Sequence, residues 1–538
     1  MLTRAIRLYH TIKYLKLKQV VWRLIYLLPR RGTTETSSPK TSSIPFIHIT
    51  KRRITKDYDH FTFLSEVNKL SLVGWDNPSQ SKLWRYNLHY FDYLNQLEFE
   101  NEGVELQNKI ISKWIRENPF GKGTGWEPYP TSLRIINWIK WHFKTNGLSD
   151  EAKLSLWNQV QWLASRPEYH LLGNHLFINA KALLFACVIF GINEDSAIYR
   201  KALKILTKEI SEQFLEDGAH FELSPMYHSL AMEDLLDLYQ LVKSLPLSFP
   251  SQEIQEKFSN GMNWLHYMSY SSGELAHFND CANDIAPTLS ELKELGQMVG
   301  MNWALNSDIK FNYFKDSGFV VLKNETVHLI ADIGDIGPDY LPGHAHADSL
   351  SFELSIKGQR VIVNSGTGEY GLSQERLRQR STSAHSTIEL DGQSSSEVWS
   401  GFRVAQRARI TEVEICEENQ RLTLAAVHDG YARIKSKPLH KRNLTVNNSN
   451  LEIIDEVSGS GNTVQSRYYL HPDILVEIQD NGILLKTSSE ELAKIRTEQI
   501  VQVLDTTYHD KFGVATKNKC LLISGTTPFS STVSIQCN

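Results

Sequence analysis

Several scarcities in this 538-residue chain narrow its class before any motif is read. Only five cysteines occur, Cys187, Cys281, Cys416, Cys520 and Cys537, with wide spacing and no CxxC pair. An odd, scattered set argues against a disulfide framework or a structural zinc module; it fits a reducing compartment or simple burial. The longest apolar run, Ala182 to Ile192, is too short to cross a bilayer. Neither sign of charge dominates. The formal net charge of −4 gives no global reason to expect nucleic acid or an anionic membrane as partner. A polyanionic ligand would need a local basic patch. Low-complexity tracts and short repeats are also missing.

The length predicts two to four domains, and 41% hydrophobic with 22% charged residues is ordinary for a soluble globular protein. Met1 to Arg31 is basic and amphipathic, with Arg4, Arg7, Lys13, Lys16, Lys18 and Arg23 spread among apolar residues. It lacks the unbroken apolar core and small-residue cleavage site of a secretory leader. The expected compartment is therefore cytoplasmic, with the periplasm as the alternative. For the first helix a packing role is expected over a membrane-surface one. Gly32 to Pro45, rich in Thr, Ser and Pro, reads as a linker.

From about Asp57 to Asn306 apolar residues recur at three- and four-residue spacing, as in Leu133–Phe143, Ala152–Ala164, Ala180–Phe190, Tyr199–Phe214 and Met232–Val242. Such a succession predicts stacked helical hairpins, in an open solenoid or an α/α toroid. Near Phe311 the period becomes two, and strands are predicted through Leu521–Ser524, with Lys357-Gly358 and Asn481-Gly482 as turns. The expectation is a basic helix and linker over 1–56, a helical domain over 57–306 and an antiparallel β domain over 307–538.

Four clusters concentrate chemistry. In Gly343-His344-Ala345-His346-Ala347-Asp348 an extended strand would turn both imidazoles and the carboxylate to one face. Gly173-Asn174-His175 opens an apolar helix, where Asn174 either caps the helix or, with His175, meets a ligand carboxylate. Asp217 to His228, containing Glu222, Tyr227 and His228, reads as a partly buried site loop. Arg376 to His385 reads as a basic loop, whose Arg378 and Arg380 suit bidentate recognition of carboxylate or sulfate. Upstream, Trp126, Glu127, Tyr129 and Arg134 are candidates for a wall against sugar rings.

These segments, with Trp84–Tyr90 and in this order, resemble the heparinase II/III-like family of polysaccharide lyases over nearly the whole chain. More narrowly, they resemble members encoded among bacterial surface-polysaccharide genes. The resemblance implies an incomplete α/α toroid followed by an antiparallel β-sandwich, in a multidomain α+β chain. It implies that Asn174 and His175 neutralise a uronate carboxylate and that Tyr227 and His344 serve as base and acid, in an order left open. His228, His344 and Arg380 are the expected neighbours that would lower the Tyr227 pKa. It also implies a metal site at His346, His385 and the position of Asn364. Asn364 replaces the aspartate of many relatives and leaves zinc or another divalent ion in question.

The implied reaction is β-elimination on an anionic, uronate-containing bacterial glycan, with no required cofactor. Two alternatives stand beside it. One is a glycoside hydrolase using paired carboxylates among Asp217, Glu222 and Asp280. The other is a non-catalytic glycan-binding or biosynthetic accessory protein.

Overall fold

The computed structural model describes residues 2–28, 32–50, 54–96, 104–243, 245, 251–305, 310–418, 421–447 and 449–538. The helical half is an incomplete α/α toroid. Its principal helices are Val104–Glu117, Pro128–Thr145, Asp150–Ser165, Gly173–Ile189, Ala197–Gln213, Pro225–Val242 and Ser251–Tyr267. Each predicted periodic stretch falls inside or within a residue of one of these. Local signals set the boundaries: Ser149 and Ser224 cap their helices through side-chain oxygens, and Pro128 and Pro225 occupy first turns. Helix Gly173–Ile189 is buried on nearly all sides, as expected of a segment apolar all round.

The β half begins at Phe311. A five-stranded antiparallel sheet runs through Phe311–Phe314, Phe319–Lys323, Val327–Asp332, Phe352–Ile356 and Gln359–Ile362. The Ile362–Leu470 bridge connects it to a four-stranded sheet, and both oppose an eight-stranded sheet. Residues alternate between core and solvent along Asn450–Val457 and Phe529–Cys537, which is the period-two pattern of a one-sided sheet. Leu354, Leu424, Leu444, Ile453 and Ile535 lie in the apolar layer between the sheets. The buried Arg442 spans it, bound to Asp455 and to the carbonyls of Leu350 and Ser386. At Lys357-Gly358 both residues have positive φ, the conformation of the tight hairpin predicted there.

A separate apolar cluster joins the halves. Trp264, Tyr267 and Phe278 from the helical side pack on Phe314, Phe319, Val321 and Ile330 of the first sheet. The predicted domain boundary at 306 lies outside the described residues. All five cysteines are free, and among the described residues no helix is long and apolar enough to cross a membrane.

Candidate active site in the cleft between the domains

Tyr227 lies in the first turn of helix Pro225–Val242. The Ser224 hydroxyl places that turn by accepting the Tyr227 N–H at 3.3 Å and donating to the Asp280 carbonyl at 2.6 Å. From the β half, the His344 ring meets the Tyr227 ring with centroids 4.1 Å apart. The two groups expected to exchange protons are therefore in contact across the domain boundary.

Asp280 fixes this arrangement. Its fully buried carboxylate accepts from His344 Nδ1 at 2.8 Å, from His346 Nε2 at 2.9 Å and from both terminal nitrogens of Arg376, one of them at 2.7 Å. Burial alone would favour protonation, but Arg376 and the two imidazoles hold the carboxyl well below its usual range. An ionised Asp280 requires Nδ1 of His344 to carry its proton, which leaves Nε2 with a lone pair. The backbone repeats the connection: the Asp280 N–H donates to the His344 carbonyl at 3.0 Å. Asn279 Oδ1 accepts the His346 N–H at 2.9 Å.

The expectation of a strand entrance at 343–348 is corrected by this clasp. These residues form a loop that precedes strand Phe352–Ile356. His344 and His346 converge on one carboxylate, whereas Asp348 lies near Asp332 of the sheet, where burial and the like charge of Asp348 push the Asp332 pKa well up. The Arg376–Arg380 stretch is likewise not a loop but part of helix Gln374–Arg380, capped by Ser373.

The phenol of Tyr227 shares a 2.9 Å hydrogen bond with that of Tyr370. Burial, the second phenol and the Asp280 charge push the Tyr227 pKa well above its ordinary value. The cations expected to lower it are engaged elsewhere. His228 is buried, accepts the His220 N–H through Nδ1 and bonds the Gly261 carbonyl through Nε2, and burial pulls its pKa down to about 4. Arg380 is buried and donates to the Ala345 carbonyl at 2.9 Å, bracing the histidine loop. Of the three, His344 is the one whose ring lies against the Tyr227 ring.

Asn174 and His175 lie in the first turn of helix Gly173–Ile189. Leu172 occupies the capping position with φ +68, so Asn174 is not the cap. Its amide donates to the Tyr129 hydroxyl at 3.4 Å. His175 stacks 4.4 Å from Tyr129 and contacts Glu168 at 3.2 Å, leaving 37% of its side chain exposed. Burial opposes its protonation, but the Glu168 carboxylate outweighs that cost and raises its pKa. A protonated imidazole at a helix N-terminus is a favourable place for a carboxylate. Glu222 lies between the two groups: His344 and His175 both act on its carboxyl, although burial prevails and raises the pKa. Its Oε2 has no hydrogen-bond partner.

The predicted sugar wall separates into two parts. Tyr129 lines the site beside Tyr90, and Glu127 accepts from Lys82 at 2.9 Å and from Tyr86. Trp126 and Arg134 instead belong to the core. Trp126 packs on Trp114, Phe120 and Trp162, while the fully buried Arg134 lies over Trp114 at 3.8 Å and donates to the Gly125 carbonyl. Arg378 is tied to Glu375 and Thr507.

The implied metal site does not fit its donors. His385 Nδ1 donates to Asn364 Oδ1 at 3.0 Å, and the His346 and His385 rings are 5.2 Å apart. His346 Nδ1 and His385 Nε2 are buried without partners, yet the third side chain is an uncharged amide whose oxygen is already engaged. Among the described residues no three His, Cys, Asp or Glu side chains gather as a metal site.

Fold and site together define a two-domain protein of the toroid-plus-sandwich class, with a composite cleft built from both halves. The chain belongs to the heparinase II/III-like family: residues 80–303 match the Heparinase II/III N-terminus and residues 307–536 the Heparinase II/III-like C-terminal region. It is 26% identical over 396 residues to a heparin-sulfate lyase of Pedobacter heparinus, covering 63% of this chain and 56% of that protein. A heparin-sulfate lyase of Bacteroides stercoris is 25% identical over 352 residues, covering 61% and 50%. The chain thus spans about half the length of these curated relatives. A solved structure of heparinase III superposes with a TM-score of 0.69 at 17% identity, covering 96% of this chain and 88% of that one.

Proposed function

We propose that the protein is a polysaccharide lyase that cleaves a uronate-containing bacterial glycan by β-elimination. The observation that carries this reading is the contact of Tyr227 with His344 while Asp280 holds the imidazole from behind. His344 Nε2 takes the C5 proton of the uronate. The electron pair of the broken C–H bond forms the C4–C5 double bond, the C4–O4 bond breaks, and the departing oxygen takes the Tyr227 proton. A tyrosine whose pKa is raised keeps its proton at neutral pH, which supports the donor role for Tyr227 in this proposal. Asn174, His175 and the helix N-terminus stabilise the enediolate that develops at the carboxylate.

The family membership and the relatives named heparin-sulfate lyase support this chemistry. A bacterial surface glycan as substrate rests on the resemblance noted in the sequence. The route calls for no metal, in keeping with the unsuited donor set at Asn364. The hydrolase alternative has less support. Asp217 is bound to the Ser317 backbone and hydroxyl at 2.7 and 2.9 Å, and Asp280 is locked in its clasp. Glu222 is then left without the second free carboxylate that hydrolysis needs.

Incubation of the pure protein with a panel of uronate polymers tests the proposal. Elimination yields unsaturated uronate ends that absorb in the ultraviolet. Cleavage without that chromophore would establish hydrolysis, and binding without cleavage would establish the accessory role.

A further inference from the structure

The two N-terminal helices, Leu2–Ile12 and Leu17–Tyr26, pack the opposite way to an ordinary surface helix. Gln19 is the one buried side chain among their described residues. It donates to the carbonyls of Leu171 and Tyr340 at 3.2 and 3.3 Å, linking the helical and β halves. Trp22 lies against Tyr169, and Tyr26 against His170. The first helix reaches the β half through Arg7 to Glu397 at 2.7 Å and through Thr11, which accepts from Trp399 at 3.1 Å. The expected packing role is thus filled by polar and aromatic contacts.

The outward face is apolar. Leu17 is 78% exposed, Leu24 64% and Leu27 80%, with Val21 and Leu28 completing a stripe at helical spacing and Tyr9 exposed on the neighbouring helix. No other stretch of comparable length among the described residues exposes so many large apolar side chains. Single exposed apolar residues are normal, whereas a contiguous face marks an interaction site.

The charge around the stripe identifies the partner. No acidic residue precedes Glu35 in the sequence, while Arg4, Arg7, Lys13, Lys16, Lys18, and Arg23 do. Arg7 and Lys16 are paired to Glu397 and Glu212. Among the described residues no carboxylate pairs with Arg4, Lys13 or Arg23. Apolar side chains flanked by unpaired cations are the signature of a helix that lies in the interface of an anionic bilayer.

We infer that this helical pair docks the protein onto an anionic phospholipid surface. A chain with a formal net charge of −4 would otherwise be repelled by such a surface, so the local patch must supply the attraction. Docking is independent of the proposed lyase chemistry, and its test reads no catalysis.

The test is co-sedimentation of the full chain with phosphatidylglycerol–phosphatidylcholine vesicles and with phosphatidylcholine vesicles alone. Binding is expected only to the anionic vesicles and should weaken as salt is raised. The triple variant Arg4→Gln, Lys13→Gln, Arg23→Gln should lower partitioning roughly 100-fold. Leu24→Glu with Leu27→Glu should abolish it while leaving the melting temperature unchanged, because both side chains are exposed. Absence of binding to either vesicle, or equal binding to both, would overturn the inference. Concentration-dependent self-association that Leu24→Glu with Leu27→Glu removes would also overturn it, by assigning the face to a second copy of the chain.

Discussion

His344 of the β half lies ring to ring with Tyr227 of the helical half, and the carboxylate that orients it, Asp280, comes from Tyr227's side of the cleft. Neither half alone contains both members of the proposed proton-transfer pair.

Tyr227→Phe removes the proposed proton donor and one hydrogen bond, to Tyr370. Initial rates of unsaturated-product formation should fall roughly 100- to 10,000-fold. Stability should change by only about 0.5–1.5 kcal/mol. Tyr370→Phe loses the same hydrogen bond but keeps the donor, so its rate loss should be the smaller of the two. Equal losses would move the donor role away from Tyr227.

Asp280→Asn should damage both properties. The amide can present an N–H where His344 needs an acceptor, so the imidazole loses its enforced tautomer and activity should fall by up to roughly 10,000-fold. Arg376 is left without its buried partner, which should cost about 3–5 kcal/mol in a urea melt. Loss of activity with unchanged stability would show that the Arg376 contact contributes little to folding.

The Glu168–His175 pair predicts a pH dependence. The His175 pKa is raised and the Glu168 pKa lowered. The raised group contributes below its ordinary pKa and loses that contribution as pH rises through its elevated value. The lowered group contributes above its ordinary pKa and loses that contribution as pH falls through its depressed value. Substrate carboxylate binding should therefore weaken, with rising KM, as pH rises through the elevated His175 pKa. Glu168→Gln should move that limb to lower pH. An unmoved limb would detach His175 from carboxylate recognition.

At Asn364 the expectation concerns metal. The wild-type protein should bind zinc below stoichiometry by elemental analysis, and a chelator should leave its melting temperature unchanged. Asn364→Asp supplies the missing anion between His346 and His385. Zinc should then stabilise that variant, by about 2.7 kcal/mol at a concentration 100 times its Kd. A stoichiometric, chelator-sensitive wild type would contradict the donor argument.

Much of the fold is legible in the sequence because burial imposes periodicity. The alternation along Leu451–Val457 reports one buried face, and the three- and four-residue spacing of Leu133–Phe143 reports a helix that the toroid buries on nearly all sides. The site is less legible because its geometry is set at long range. Asp280 stands in an unremarkable Phe278-Asn279-Asp280-Cys281 segment and gains its role only when His344 and His346 arrive from the other domain. The strand expected at 343–348 failed because that clasp replaces sheet pairing. Trp126 and Arg134 have the composition of a sugar platform, but the same side chains suit an interior where a guanidinium rests on an indole. The meeting of Tyr227 with His344 came from family resemblance, since no local pattern encodes it.

The backbone bond from Asp280 to His344 has a consequence for how this architecture can be divided. An imidazole braced by the opposite module, as the proposed base His344 is, keeps its orientation only while the modules stay docked. The halves are therefore poor candidates for shuffling into other proteins, and a natural exchange would have to carry both sides of the seam together.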